Sequence, residues 1–492
     1  MAGKKYKLMR SKFLLPISDK IGRSERIKDG YVLTEKNLIK ETGRYTEETG
    51  ERIIRDYGPE LQIIGCEKEN NFALCDIKKL RGVIMPGFVK AHGHDHESPL
   101  IGLAKDEPLT AWLDHAVNLF TGFMNEQRNI LEKKFRKSPN YITYIKARLD
   151  DIYYGITSSM VHHCNHNKYR VEEIVKANLK AGTKMIIAVG AQDRNYDERI
   201  LDTPEKSVER MDEYINKFAG TERTWIIPGP DQDFSNGPEQ LKALKKWARD
   251  NNTLIHMHSS EEPNTTKWFR ETYGHTPVEY AHSIDFLDEN TILAHQVNCT
   301  ERDLEILRDT GTKIVHNPLA NTILGSGMPP VIKMMEMGIP VVISTDGSGS
   351  ADNQNMLIAA KLASQYQKAL HQDAYLLPAQ KLLEMITIEP AKFLRLNTGS
   401  LEEGKDADFI FLDLTSPNMT PTREDNLVEN LIWASNGNEV KYVIANGEIL
   451  MNNGIFTTLN EDEVKNEVYE LSDMFVEYRK TAKEIKGTGA HK

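Results

Sequence analysis

Eight short runs of apolar, β-branched residues constrain this chain more than anything else in it. They end near His92, His162, Gly190, Gly229, His258, His295, His316 and Asp346, and stretches of helical period separate them. The spacing is mostly roughly 20 to 40 residues, the interval of a strand, a helix and two short connections. Parallel strands need crossover helices, so eight such units predict fold class α/β with a (β/α)8 TIM-type barrel. Helix punctuation agrees. Thr203-Pro204 places a cap before a proline at the first helical position, and Thr300-x-x-Asp303 reads as a capping pair with Gly311 as the stop. A further helix follows Ser235-Asn-Gly-Pro238, with Leu241, Leu244 and Trp247 on one face. Between the first two runs lie about 65 residues, far above ordinary loop length, including Trp112, Leu113, Phe120 and Phe123. At the catalytic end of a barrel such an insertion makes a pocket wall or lid.

The barrel is expected over 83–395. Residues 1–82 read as short strands and turns (Lys5 to Leu15, Ile27 to Glu35 with a turn at Asp29-Gly30, Leu61 to Cys66, Phe72 to Lys78), without helical period. Residues 396–455 add strands at Ala407 to Asp413 and Val440 to Met451, the latter folded at Asn446-Gly447. Both ends would then build one small composite β-sandwich. Over 456–492, Val464, Val468, Leu471, Met474 and Phe475 recur at helical spacing and predict a terminal helix.

Composition narrows the class of function. Acidic residues number 72 against 62 basic ones, interspersed and with no long basic run, which excludes nucleic acid as a partner. No window approaches the roughly 18 apolar residues of a membrane span, and Phe13 to Ile17 is too short for a signal-peptide core. Four cysteines without a C-x-x-C pair form no disulfide framework. These features predict a cytoplasmic protein.

Strand ends carry the chemistry. In Val83-Ile-Met-Pro-Gly-Phe-Val-Lys-Ala-His92-Gly-His94 the two histidines share one face of an extended chain and can grip one ion. With 15 histidines in 492 residues, one H-x-H pair is only a prompt; the matching set His258, Glu261, His295 and Asp346 downstream makes it a hypothesis. A carboxylate ending an apolar strand, as Asp346 does, needs a cation. His258-x-x-Glu261 separates an ion-holding residue from a proton shuttle, with Glu262 as competitor for the second role. His256 reads as a structural, hydrogen-bonded histidine one layer deeper.

Pro86-Gly-Phe-Val-Lys-Ala-His92-Gly-His94, His258-Ser-Ser-Glu261, Leu293-Ala-His295, Val315-His-Asn-Pro318 with Asn321, and Ser344-Thr-Asp-Gly347 together resemble the amidohydrolase superfamily. Within it they are most similar to the branch of atrazine-type hydrolases, adenosylhomocysteine and methylthioadenosine deaminases and guanine deaminase. The likeness runs over almost the whole chain. It implies one divalent ion, zinc with Fe2+ as the alternative, held by His92, His94, His258 and Asp346. Two-metal members use a carboxylated lysine at the fourth strand, and Thr224 to Asp231 contains none. The implied reaction is attack by an ion-activated hydroxide on an amidine-like carbon, releasing ammonia. Asp346 would accept the water proton, His295 would donate a hydrogen bond to the hydroxide or oxyanion, and Glu261 would protonate the ring and the leaving amine. Trp112, His163, Asp231 and Asn321 are candidate substrate-binding residues, with packing as the competing role for Trp112 and His163, and a core position as that for His295.

One departure stands out. Related deaminases carry A-P-H after the fourth strand, where this chain has Gly229-Pro230-Asp231; an acceptor-only side chain favours a substrate that offers N–H groups or positive charge. The expected function is a hydrolytic deaminase of an N-heterocycle such as a purine, pterin or related nucleoside. The alternatives are ring opening of a cyclic amide, loss of another leaving group, or a non-catalytic scaffold. A homodimer or larger assembly is what the resemblance implies.

Overall fold

In the computed structural model, residues 4–65 and 77–488 are described; Phe72 to Lys78 falls largely outside them. The eight expected strands are present and form two four-stranded parallel sheets. One holds Phe88–Lys90, Ile156–His163, Lys184–Ala191 and Thr224–Pro230; the other holds Ile255–Ser259, Thr291–His295, Lys313–His316 and Val341–Ile343. They are called the first to eighth parallel strands below. Nearly every residue in them is buried, as strands covered on both faces must be.

The two sheets meet along two seams. Between the fourth and fifth strands, Gln232 bridges to His258 in parallel register, and the His258 amide donates to the Asp231 carbonyl at 2.9 Å. Between the eighth and first, a side chain replaces the ladder: the Ser344 hydroxyl accepts from the His92 amide (3.1 Å) and donates to the His92 carbonyl (2.7 Å). That serine therefore sets the distance between two segments that carry site residues.

The apolar run before His92 is two strands rather than one. Leu80–Pro86 joins a nine-stranded sheet, and only Phe88–Lys90 enters the parallel set. Gly87 makes the switch, because a Cβ there would lie 2.3 Å from the Thr157 hydroxyl. The nine-stranded sheet takes Tyr6–Leu14, Ile27–Glu35, Leu38–Arg44 and Leu61–Ile63 from one end of the chain. From the other it takes Phe409–Asp413, Val440–Ala445, Glu448–Asn452 and Ile455–Phe456. Its strands are hydrogen-bonded in one continuous order, and residues from both chain ends share one apolar cluster on it.

Two local readings need correction. Asp29-Gly30 is no turn: the strand runs through it, with Asp29 at φ 54° and Gly30 packed against Leu14, where a Cβ would come within 2.2 Å. The N-terminal region also contains a helix, Glu47–Tyr57. Thr46 caps it by accepting from the Thr49 amide, and Glu47 and Glu48 suit its first turn. Only Gly50 and Ile53 of that helix are buried, too few to mark a period in the sequence.

The long insertion folds into helices Leu109–Trp112, Asn118–Glu126, Arg128–Lys134 and Pro139–Tyr153, with one π-turn at Leu113–Val117. The terminal helix, Glu461–Thr488, packs on it. Phe475 meets Phe120 edge-on at 5.1 Å and Phe123 at 5.5 Å, inside an apolar cluster separate from the main core.

Candidate metal centre and pocket

His92, His94, His258 and Asp346 converge where the strand ends meet. His92 Nε2 lies 3.1 Å and His94 Nε2 3.5 Å from Asp346 Oδ1, and the Nε2 atoms of His94 and His258 are 3.0 Å apart. Two of these imidazoles have their other nitrogen committed. His94 Nδ1 donates to the His162 carbonyl (3.2 Å) and His258 Nδ1 to the Asp231 carbonyl (2.6 Å), which fixes the tautomer that leaves Nε2 a lone pair. Neither His92 nitrogen has a hydrogen-bond partner among the described residues, although the ring is fully buried. Burial pushes the His92 imidazole down to about 4 against the opposing pull of Asp346, and it pushes His94 well below its ordinary value. Neutral lone pairs aimed at one point beside a carboxylate fit one divalent ion of the kind bound by nitrogen and oxygen ligands.

Asp346 and His295 sit at strand ends with φ of 73° and 76°, a left-handed conformation that costs about 1–3 kcal/mol in a non-glycine residue. For Asp346, burial alone would raise the pKa, but the imidazoles of His92, His295 and His94 hold the carboxyl far below its ordinary range. Glu261 behaves oppositely. Burial, aided by the charge of Asp346, pushes its carboxyl up to about 8. It lines the pocket with Oε2 3.5 Å from His295 Nε2. Its competitor Glu262 is a helix cap, accepting from the Thr265 amide at 2.8 Å and from Asn264 Nδ2 at 2.8 Å.

His295 is held by a neighbour on the helix Pro318–Ile323. Its Nδ1 lies 2.8 Å from Asn321 Oδ1, so that nitrogen carries the proton and donates, while burial lowers the pKa and keeps the ring neutral. Nε2 lies 3.5 Å from Glu261 Oε2 and 3.7 Å from Asp346 Oδ2. Asn321 orients this ring instead of lining the pocket. His163 is not among the residues lining the pocket: strand alternation turns it away from His162, and its Nδ1 pairs with the Tyr144 hydroxyl. His256 is buried and stacks on His92 at 4.8 Å without a hydrogen-bond partner among the described residues. Trp112 and Asp231 do line the pocket.

Sequence reasoning missed several neighbours. His96 and Glu97 line the pocket, and Asp95 joins a buried network behind it: Lys90 Nζ to Asp151 (2.8 Å), Asp95 (3.4 Å) and Gln354 (3.1 Å), and Arg148 to Asp95, Asp151 and Ser159. The signal was the density of ionisable residues in the continuation of the motif, His92-Gly-His94-Asp-His96-Glu97, which turns into a short 3-10 helix at Asp95–Leu100. Tyr196, Gln232 and Ser350 also line the pocket and lie on loops that carry no pattern. Leu109, Trp112, Leu113, Val117 and Leu324 roof it and leave a narrow cavity.

Parallel strands whose ends present three histidines, an aspartate and a buried proton-carrying glutamate define a metal-dependent hydrolase. The amidohydrolase family profile matches residues 83–450, and the chain belongs to that family. A 5'-deoxyadenosine deaminase of Methanosphaera stadtmanae is 30% identical over 410 residues, covering 81% of this chain and 90% of the relative. A 5-methylthioadenosine/S-adenosylhomocysteine deaminase of Thermococcus kodakarensis is 31% identical over 394 residues, covering 79% and 88%. Among solved structures, atrazine chlorohydrolase from Arthrobacter aurescens TC1, complexed with zinc, superposes with a TM-score of 0.81 at 20% identity, covering 95% of this chain and all of its own (100%); it shares the fold.

Proposed function

We propose that this protein is a metal-dependent hydrolytic deaminase that releases ammonia from an amino-substituted N-heterocycle such as a purine, pterin or related nucleoside. The observation that carries this reading is the pair of imidazole Nε2 atoms 3.0 Å apart, each with its Nδ1 tied to a carbonyl, beside His92 and Asp346. In this reading the two parallel sheets close as one eight-stranded barrel, and the nine-stranded sheet forms a composite β-domain beside it. Support comes from the two seams, from the fold shared with solved structures, and from the deaminase names of relatives at 30–31% identity.

His92, His94, His258 and Asp346 would hold the ion, zinc or Fe2+. The ion supplies a Lewis acid that brings the pKa of a water from about 15.7 toward 7. The chain's residues divide the proton work. Asp346, kept ionised, and the free Nε2 of His295 accept a proton from water; Glu261, with its carboxyl near 8, brings one to a ring nitrogen and then to the departing amine. Acceptor and donor stand 3.5 Å apart, so both reach one bound molecule. The apolar roof excludes bulk water during the reaction.

The test is ammonia release from 5'-deoxyadenosine, adenine and guanine by zinc-loaded protein, with product mass read alongside. Deamination replaces an imino group by oxygen, whereas ring opening adds a whole water. Glu261→Gln is expected to keep its zinc and lose about 10²- to 10⁴-fold in kcat. A protein that binds no zinc, or that adds water without releasing ammonia, refutes the proposal.

A further inference from the structure

The wall of the pocket has a one-sided charge. Among the described residues four carboxyl groups line it, Glu97, Asp231, Glu261 and Asp346, and no lysine or arginine does. Asp346 belongs with the ion and Glu261 with proton transfer, which leaves two carboxyls without a task. Asp231 is 1% exposed, and neither of its oxygens has a hydrogen bond of normal geometry. Its polar neighbours are the neutral donors Tyr196, Gln192 and Cys164, each turned toward the carboxyl. Two imidazoles stand at 3.5 Å (His258 Nδ1) and 3.8 Å (His162 Nδ1), but the His258 proton already goes to the Asp231 backbone carbonyl. Glu97, 3% exposed, is fixed against the opposite strand end: its Oε2 accepts from the amides of Gly349 (3.1 Å) and Ser350 (2.9 Å) and from the Ser350 hydroxyl (3.0 Å). Gly347 makes that placement possible, since a Cβ there would lie 1.9 Å from the same oxygen.

A carboxylate removed from water and held only by neutral donors carries a standing cost, which a ligand bringing positive charge relieves. An anionic ligand would add repulsion instead. Above these acids the roof is apolar, made by Leu109, Trp112, Leu113, Val117 and Leu324.

We infer that the pocket selects a compact planar ring that carries positive charge, or a row of N–H donors, on the edge facing Asp231, and that it turns away phosphorylated or carboxylate-bearing analogues. Resting on the deaminase reading for what happens to the ring, this inference concerns how the ring is chosen and is tested without turnover. Benzamidine and benzamide have the same shape, one cationic and one neutral, so the cost of opening the roof cancels in their ratio. With zinc-loaded protein, calorimetric titration is expected to show benzamidine binding at least about tenfold tighter than benzamide. Asp231→Asn is expected to bring the two within about threefold, and Glu97→Gln to narrow the ratio in the same direction. Equal affinities in the unaltered protein overturn the inference, and a folded Asp231→Asn protein that keeps the full ratio removes Asp231 from it. Either result leaves the ammonia assay untouched, and a failed ammonia assay leaves the binding ratio readable.

Discussion

Phe475 offers a way to loosen the roof without touching the site. It is fully buried between the terminal helix and the insertion, 5.1 Å from Phe120 and 5.5 Å from Phe123. Truncating a buried phenylalanine to alanine costs about 3–5 kcal/mol, of which each aromatic pair supplies about 0.5–1.5 kcal/mol beyond area. The cluster holding Phe475 is distinct from the core around the parallel strands, so the loss falls on docking of helix 461–488 against residues 100–142. At 1.4 kcal/mol per factor of ten, about 3 kcal/mol raises the population of the undocked roof about a hundredfold. Hydrogen exchange by mass spectrometry on Phe475→Ala should show this in peptides covering 101–138 and 461–481 together, while strands Thr224–Pro230 and Ile255–Ser259 stay protected. Because Trp112, Leu113 and Val117 of the insertion roof the pocket, the rate of substrate entry should rise as exchange does. Uniform loss of protection across the parallel strands, or exchange confined to the terminal helix, would show that the roof and helix are not one unit.

Asn321→Ala removes the acceptor that orients His295 and should lower kcat about 10- to 100-fold with zinc content unchanged. Restoration by Asn321→Asp would confirm the orienting role, and an unaltered kcat would dismiss it. In the metal-free protein, Glu97 has its carboxyl pushed up to about 8, by burial first and Asp346 second, from an ordinary 4.5. Its contribution to stability is therefore fully present below the unfolded value and lost as pH rises through about 8. Melting temperatures of Glu97→Gln should accordingly fall less than those of the parent between pH 5 and pH 8.5, and parallel curves would contradict the assignment.

What the linear chain determined was everything set by local period and by residue type at strand ends: the eight strand runs, the caps at Thr203 and Thr300, the terminal helix, and His92, His94, His258, Glu261, His295 and Asp346 as one constellation. Alternation and capping act over a few residues, so they are written in the order of amino acids. Only the tertiary structure decided the rest. It split the run before His92 at Gly87, gave Glu262 to a helix and Glu261 to the pocket, and turned His163 away from the site. It also set His295 Nδ1 against Asn321, and buried Asp231 among Tyr196, Gln192, Cys164 and the imidazoles of His162 and His258. Each of these depends on what another segment, far off in sequence, places within 3 to 4 Å, and no local pattern encodes that distance.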